Sequence, residues 1–216
     1  MTGLWADAAA LFDGAVTTVM LIVVTIILGG ALSVVGATAR QSRIRWCRVA
    51  AAAYVELIRN TPFIVQLFFV FFGLPSLGLR MGATAAAILA MTINVSAYGT
   101  EIVRAGLGAV GIGQREAGQA LGLRNRTVFL RIVLPQALRA IYPALVSQFV
   151  ITMLESAVVS QIAVRDLTYE ADLLQARSFL AFQTYAVVTA IYLGLSILLR
   201  RVLGLGGRLL LGGGAG

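Results

Sequence analysis

The chain has 216 residues, of which 59% are hydrophobic and only 12% are charged, so we expect one membrane-embedded unit rather than a soluble domain. All 17 basic residues are arginine, which excludes the lysine of a standard phosphate-binding P-loop and therefore ATP hydrolysis by this chain alone. With no histidine and one cysteine, the sequence indicates neither a metal site nor a disulfide framework. The net charge of +8 lies in short patches between apolar runs, as topology signals do, and does not indicate nucleic-acid binding.

Five apolar stretches are long enough to cross a membrane, which takes about 20 residues. The predicted spans are 14–39, 60–79 (beginning near Val49), 81–100, a fourth from about 140 through 155, and 178–199. Pro62 predicts a kink in the second span. The fold class is therefore an all-α membrane protein with about five transmembrane helices.

Arginine clusters follow the first span, separate the third from the fourth, and follow the fifth. The opposite loops hold only Arg80, Arg165 and Arg177, the last two among acidic residues. Because positive residues favour the cytoplasm, we expect the N-terminus outside and the C-terminus inside. We divide the chain into an extracytoplasmic segment (1–13), a transmembrane domain in the lipid bilayer (14–204) and a low-complexity cytoplasmic tail (205–216).

The segment EAGQALGLRNRTVFLRIVLP (116–135) interrupts the apolar runs between spans three and four. We predict a short helix over 116–121, with Glu116 in its first turn, and a sharp exit at Gly122 with positive φ. One small apolar face has three members at helical spacing: Ala117, Ala120 and Leu121. The face suits a protein groove better than the alternative, a helix resting on lipid headgroups. Pro135 predicts a turn or kink.

This segment resembles the EAA loop of ABC importer permeases, whose pattern is E-A-A, three residues, Gly, nine residues and I-x-L-P. The matching residues are Glu116, Ala117, Gly118 (in place of the second alanine), Gly122, Ile132, Leu134 and Pro135. The stretches 54–75, 94–106 and 159–168 are similar to the polar amino acid branch of these permeases. The resemblance implies a type I importer permease whose coupling helix lies in the loop 111–135. Its ATPase-coupling residues would be Glu116, Ala117, Gly118, Ala120, Leu121 and Gly122.

The resemblance also implies partners: a separate ATP-binding cassette subunit holding ATP-Mg, a second permease (identical or homologous), and an extracytoplasmic protein that delivers a polar amino acid. The chain itself would carry no cofactor and would reside in a bacterial inner membrane. A secondary transporter or channel working without ATP remains an alternative, although five spans cannot be halved into equal repeats. An exporter subunit is a third, although exporters do not normally carry this EAA spacing.

Polar residues inside spans are functional candidates because they are costly to bury in lipid. Two stripes follow helical spacing: Asn94, Tyr98 and Glu101 in span three, and Gln148, Thr152 and Glu155 in span four, followed by Ser156. We predict a substrate pathway lined by Asn94, Tyr98, Gln148, Thr152, Glu155 and Ser156.

Two acidic residues of these stripes have alternative roles. Glu101 is expected to pair with Arg104 at the cytoplasmic end. Glu155 lies about 22 Å of helix beyond residue 140, in the outer half of the membrane. It either lines the path or forms a structural ion pair, with Arg165 or with an arginine of the partner permease.

Overall fold

The computed structural model describes residues 2–211, and their side chains from Asp7 to Leu209; these residues form helices joined by short turns. In chain order the helices are α1 (Thr2–Arg40), α2 (Arg45–Arg59), α3 (Phe63–Ser76), α4 (Ala83–Ala109), α5 (Ile112–Ala120), α6 (Asn125–Ile162), α7 (Leu167–Ser178) and α8 (Ala181–Leu211). Four are long and apolar enough to cross a membrane, and α2 with α3 makes a fifth if the bent pair is one span. The predicted all-α fold with about five spans is confirmed.

Both ends of the described chain are more helical than predicted. Helix α1 begins at Thr2, so most of the predicted terminal segment 1–13 continues the first span. Helix α8 runs to Leu211 through the glycines of the predicted low-complexity tail, whose residues 212–216 lie outside the described part. The last described turns of α8 pack against α6 because Gly207 leaves room for the ring of Tyr142, which a β-carbon would overlap, and the hydroxyl of Tyr142 donates to the carbonyl of Leu203.

The second span is broken rather than kinked. Helices α2 and α3 meet at 109° beside Pro62, which is extended (ψ 139°) and has no N–H to continue the helix. Helix α2 is amphipathic: Val55 is buried, whereas the side chain of Trp46 is 82% exposed. Tyr54 anchors the buried face to α4, since its hydroxyl donates to the carbonyl of Ile93 at 2.7 Å. The prediction of one span that begins near Val49 and is kinked at Pro62 is therefore corrected to two helices that meet at a sharp angle.

Helices α1 and α4 pack closely through small residues. A β-carbon at Gly36 would overlap Thr100 Oγ1, and one at Gly99 would overlap Ser33 Oγ. Thr100 Oγ1 also donates to the backbone oxygen of Ser33 at 3.4 Å. Helices in lipid usually associate through close packing of small residues, because moving an apolar side chain from lipid into a helix interface gives no hydrophobic gain.

Replacing Gly36 with leucine should separate α1 from α4 and lower the thermal stability of the detergent-purified protein. Overpacking of this kind costs about 1–3 kcal/mol. Gly30→Leu is the matched control, because a β-carbon at Gly30 of the same helix meets nothing within 4 Å. The measurement is the melting temperature of both variants by thermal scanning; equal melting temperatures would contradict the packing described above.

The turn between α6 and α7 is held against α1 and α8 by a buried carboxyl group. Asp166 caps α7 by accepting from the backbone N–H of Tyr169 (2.9 Å), and it accepts from the hydroxyl of Tyr192 (3.3 Å). The backbone N–H of Leu167 donates to Thr18 Oγ1 at 3.2 Å. Burial raises the pKa of Asp166 from 3.8 to about 6, despite these donors.

The raised pKa of Asp166 predicts that the folded protein binds this proton more tightly than the unfolded chain does. The contribution of protonated Asp166 to the free energy of unfolding is therefore largest below pH 4 and is lost as the pH rises through about 6. The total loss is about 3 kcal/mol. Asp166→Asn keeps the cap acceptor and should flatten this dependence between pH 5 and 7.5. Melting temperatures of the two proteins across that range check the expectation, and parallel curves would contradict it.

Candidate coupling segment and translocation path

The segment between α4 and α6 contains a short helix, α5, that begins earlier than predicted. It covers Ile112–Ala120, so Glu116 is its fifth residue and lies in the second turn. The prediction that Glu116 lies in the first turn is wrong. The N-cap residue, Gly111, has no side chain to cap the helix, and the sequence therefore carries little signal for this start.

The exit from α5 is the one that the sequence predicts. Gly122 has a φ of +73°. Its N–H donates to the carbonyl of Gln119 at 2.9 Å, and the N–H of Leu123 donates to the carbonyl of Gly118 at 3.2 Å. These two bonds form a Schellman motif, in which a glycine in the left-handed conformation satisfies the last carbonyls of a helix.

Gly118 attaches α5 to the first turns of α6. It is the one buried residue of α5, whose residues all lie in the described part of the chain. A β-carbon at Gly118 would lie 2.9 Å from Val128 Cγ2 and 3.0 Å from Ile132 Cδ1. In the sequence Gly118 is visible only as a glycine in place of the second alanine, and this contact was missed. The buried side of α5 is thus a backbone surface rather than an apolar side chain.

The predicted apolar face of α5 points away from α6. Ala117, Ala120 and Leu121 are all exposed, and the side chain of Leu121 is 79% exposed. An exposed apolar surface on a rigid helix within an arginine-rich segment is typical of an interaction site.

The chain continues from this segment into α6 as one helix. The predicted turn at Pro135 is wrong, because the helix continues past the proline. A π-helical turn over Phe129–Val133 precedes the proline, and in it the N–H of Leu134 bonds to the carbonyl of Phe129. Bonds in a π-helical turn span one residue more than those of an α-helix, so the helix can continue although Pro135 has no N–H to donate. The coupling segment is therefore joined to the transmembrane part of α6 by continuous helix.

The depth of the two polar stripes follows from the contact between α4 and α6. A β-carbon at Gly106 would lie 3.2 Å from the carbonyl oxygen of Ala137. At 1.5 Å per residue, Asn94 lies about 18 Å from Gly106 along α4, while Gln148 and Thr152 lie about 16 and 22 Å from Ala137 along α6. Asn94 is therefore level with the space between Gln148 and Thr152, and Glu155 lies farther from the coupling segment.

Asn94 is turned toward α3. It is 4% exposed, and its Nδ2 donates to Gln66 Oε1 at 3.0 Å. Its Oδ1 is buried and accepts no hydrogen bond from any residue that the structure describes. The ring of Tyr98, one turn away, lies under the guanidinium of Arg59, 5.3 Å from it. Sequence reasoning missed Gln66, whose signal is a lone amide within the apolar run FIVQLFF.

On α6, Gln148 and Thr152 are buried, and Thr152 Oγ1 donates to the carbonyl of Gln148 at 2.9 Å. Ser156 is fully buried, and its hydroxyl donates to the carbonyl of Met153 at 2.6 Å, so that proton is already used. Glu155 is half-buried at the point where the α-helix changes into a 3-10 helix over Ser156–Ile162. Such a change inside a span often marks a functional position.

The ion pairs near the stripes distinguish the two glutamates. Glu101 pairs with Arg104, as predicted, and lies 3.7 Å from Arg40. Arg165 does not reach Glu155; its Nε lies 2.8 Å from Glu170 Oε1. The predicted alternative of an ion pair between Glu155 and Arg165 is therefore wrong. The carboxylate of Glu155 has no ion pair with the side chains that the structure describes between Asp7 and Leu209.

Residues 26–206 match the family of binding-protein-dependent transport system inner membrane components. The chain belongs to this family. It is a multi-pass inner membrane protein and a non-catalytic transport subunit of an ATP-driven importer, which sets aside the secondary transporter, the channel and the exporter. Importers of this family work with an ATPase and a binding protein.

Curated relatives of similar length match most of the chain. The chain is 35% identical to the probable glutamine ABC transporter permease GlnM of Bacillus subtilis over 86% of each chain. It is 33% identical to the arginine transport system permease ArtQ of the same organism, over 88% of this chain and 87% of ArtQ. It is also 35% identical to the L-cystine permease TcyB, over 78% of this chain and 72% of TcyB.

Two solved structures are similar to the fold. A crystal structure of an amino acid ABC transporter with histidines is 33% identical, with a TM-score of 0.88 over 97% of this chain and 98% of that one. The inward-facing methionine transporter MetNI is 19% identical, with a TM-score of 0.65 over 98% of this chain and 97% of that one. The second likeness concerns the fold alone.

Proposed function

We propose that this permease forms the translocation path for a polar amino acid and that α5 couples the path to a separate ATP-binding cassette subunit, which binds ATP-Mg. The observation that carries the proposal is the construction of α5. It exposes Ala117, Ala120 and Leu121, is held to α6 through the buried Gly118, and leaves through the fixed turn at Gly122. A second permease, identical or homologous, completes the path, and a binding protein delivers the substrate from outside.

The connections of α5 support a mechanical role. It is joined to α4 by two residues, 110 and 111, and to α6 by a turn of four residues, 121–124. Both polar stripes are therefore on helices that α5 adjoins directly. When the ATPase closes or opens, it biases the position of α5, and α4 and α6 shift between two arrangements.

The polar groups on those helices suit the charged backbone of an amino acid. The carboxylate of Glu155 and the amide oxygen of Asn94 accept hydrogen bonds, and both suit an ammonium group. Gln148 and Thr152 lie at about the depth of Asn94, whereas Tyr98 lies one turn closer to α5 and Ser156 lies next to Glu155. Relatives are named for glutamine, arginine and cystine, which all carry this ammonium group.

The test is uptake by proteoliposomes that contain the permease, its ATPase and its binding protein. We expect the permease to co-purify with the ATPase, and we expect ATP-dependent uptake of at least one of radiolabelled L-glutamine, L-arginine and L-cystine. An ATPase that binds but does not hydrolyse ATP is the control. Uptake that persists with this ATPase would contradict the proposal, as would failure of all three substrates.

The proposed orientation places the N-terminus outside and α5 in the cytoplasm. In a Cys47→Ser background, a cysteine at Gln119 should react with a membrane-impermeant maleimide only from the cytoplasmic side. A cysteine at Ala176, exposed on α7, should react only from outside. Labelling of intact and of opened cells distinguishes the two, and outside labelling at Gln119 would remove the route to a cytoplasmic ATPase.

A further inference from the structure

The break in the second span is stabilised by one side chain from the next helix. In an unbroken helix the N–H of residue 62 would bond to the carbonyl of Ile58, but Pro62 has no N–H. Gln66 supplies the missing donor: its Nε2 lies 2.8 Å from the carbonyl oxygen of Ile58. The same nitrogen lies 3.0 Å from the carbonyl oxygen of Thr61 and 2.9 Å from Thr61 Oγ1. The amide nitrogen of Gln66 is thus surrounded by acceptors.

These contacts fix which end of the Gln66 amide faces which helix. The hydroxyl of Thr61 uses its own proton on the carbonyl of Leu57, at 2.9 Å, so toward Gln66 it can only accept. An amide oxygen placed among these three acceptors would find no donor. The nitrogen of Gln66 must therefore face the break, and its oxygen must face α4, which settles the usual ambiguity between the two ends of an amide.

The orientation of Gln66 determines that of Asn94. Because Gln66 Oε1 can only accept, the group that Asn94 presents to it is the NH2 group, at 3.0 Å. The other end of the Asn94 amide is then an oxygen, which is buried without a donor from the described residues. A buried acceptor without a partner is unfavourable, so this oxygen calls for a donor from outside the chain.

We propose that Gln66 is a positioning residue that sets the hydrogen-bond polarity of the path. Through Gln66, the broken second span makes Asn94 present an oxygen to the translocated molecule. The position therefore selects an N–H donor, such as the ammonium group of an amino acid, over an acceptor such as its carboxylate. This inference rests on the proposed function, in which Asn94 lines the path; Gln66 itself does not touch the substrate.

The experiment compares two substitutions that affect orientation and stability in opposite ways. Gln66→Met removes both the donor and the acceptor, so the Asn94 amide is free to turn. Gln66→Glu still accepts from Asn94 in either protonation state, but when ionised it places a carboxylate among the carbonyls of Ile58 and Thr61. A positioning role predicts tighter substrate binding by Gln66→Glu than by Gln66→Met, while the order of thermal stability is reversed. A merely structural role predicts that binding follows stability.

Binding is measured by equilibrium dialysis of radiolabelled L-arginine and L-glutamine against the purified permease–ATPase complex, without the binding protein. We expect Gln66→Met to weaken binding at least about tenfold, the effect of losing one hydrogen bond to a charged group. Gln66→Glu should stay within about threefold of the unmodified complex, a smaller change than that loss. Val65→Ala, at an exposed neighbouring position, is the control for changes to α3.

A carboxylate at position 66 could also attract the ammonium group directly. The double variant Gln66→Glu, Asn94→Ala tests this, since binding should be lost if the introduced carboxylate acts through Asn94 and should persist if it acts alone. Unchanged binding by Gln66→Met, with binding lost in Asn94→Ala, would overturn the positioning role and leave the proposed path intact. Unchanged binding by Asn94→Ala, or no binding by the unmodified complex, would overturn both.

Discussion

Gly122→Val should reduce ATP-driven uptake at least about tenfold while the permease still inserts into the membrane. Gly122 has a φ of +73°, which costs an L-residue about 1–2 kcal/mol and a β-branched residue more. Valine would favour a different exit from α5, and the two bonds of the Schellman motif to Gln119 and Gly118 would be lost. Movements of the ATPase would then no longer be transmitted to α6 in a fixed direction.

Two further variants separate this effect from a general weakening of α5. Gly113→Val makes the same change in the first turn of the helix, where a β-carbon meets nothing within 4 Å, and should keep most of the uptake. Gly122→Asn should recover part of it, because asparagine tolerates the left-handed conformation. Uptake and ATP hydrolysis are measured together in proteoliposomes. Normal uptake at normal hydrolysis in Gly122→Val would refute the coupling role of this turn.

The coupling segment shows which features a sequence can specify. A short helix lies in the predicted loop, although it covers Ile112–Ala120 rather than 116–121, and the positive φ of Gly122 follows from glycine chemistry. The contact of Gly118 with Val128 could not be predicted, because it depends on the angle at which α5 meets α6. Nor could the continuity of α6 past Pro135, because the π-helical turn that accommodates the proline has no strong local signal.

The second span shows a different limit. Hydropathy detects apolar residues but not the direction of the chain, so the two sides of Pro62 are predicted as one span with a kink. Pro62 correctly indicated a disturbance, but its size, 109°, depends on hydrogen bonds made in the folded state. Those bonds come from Gln66, which is a single polar residue in an apolar run and belongs to no stripe of polar residues at helical spacing. The stripe Asn94 and Tyr98 was identifiable, whereas its partners on α2 and α3 required the tertiary structure.

The arrangement of the polar stripes has a consequence for the transport cycle. The bond between Gln66 and Asn94 connects the broken second span to α4, while Gly106 connects α4 to α6 near the coupling segment. Under the proposed function, a shift of α5 would act on the path from two sides, directly through α6 and indirectly through α4. Glu101 lies on α4 between Asn94 and Gly106. It pairs with Arg104 and lies near Arg40, and so holds this end of α4 to α1.

Glu155→Gln should reduce uptake at least about tenfold without reducing the yield of assembled complex. The substitution keeps the shape of the side chain and removes its charge, and a hydrogen bond to a charged group contributes about 1.5–3 kcal/mol. The carboxylate lies on the same face of α6 as Gln148 and Thr152, and it has no ion pair with the side chains that the structure describes. Its partner is therefore expected to be the translocated amino acid.

The substrate dependence of Glu155→Gln identifies the group that the carboxylate binds. If Glu155 contacts the ammonium group common to all amino acids, uptake of L-arginine and L-glutamine should fall together. If it contacts a basic side chain, uptake of arginine should fall more. Glu170→Gln is the matched control. Glu170, on α7, is the partner of Arg165, and its neutralisation should lower stability without distinguishing the two substrates.

Loss of assembled complex in Glu155→Gln, restored by replacing an arginine of the second permease, would instead indicate an ion pair between subunits. Full uptake of both amino acids would exclude Glu155 from the path, because a half-buried carboxylate that lines it cannot lose its charge without effect.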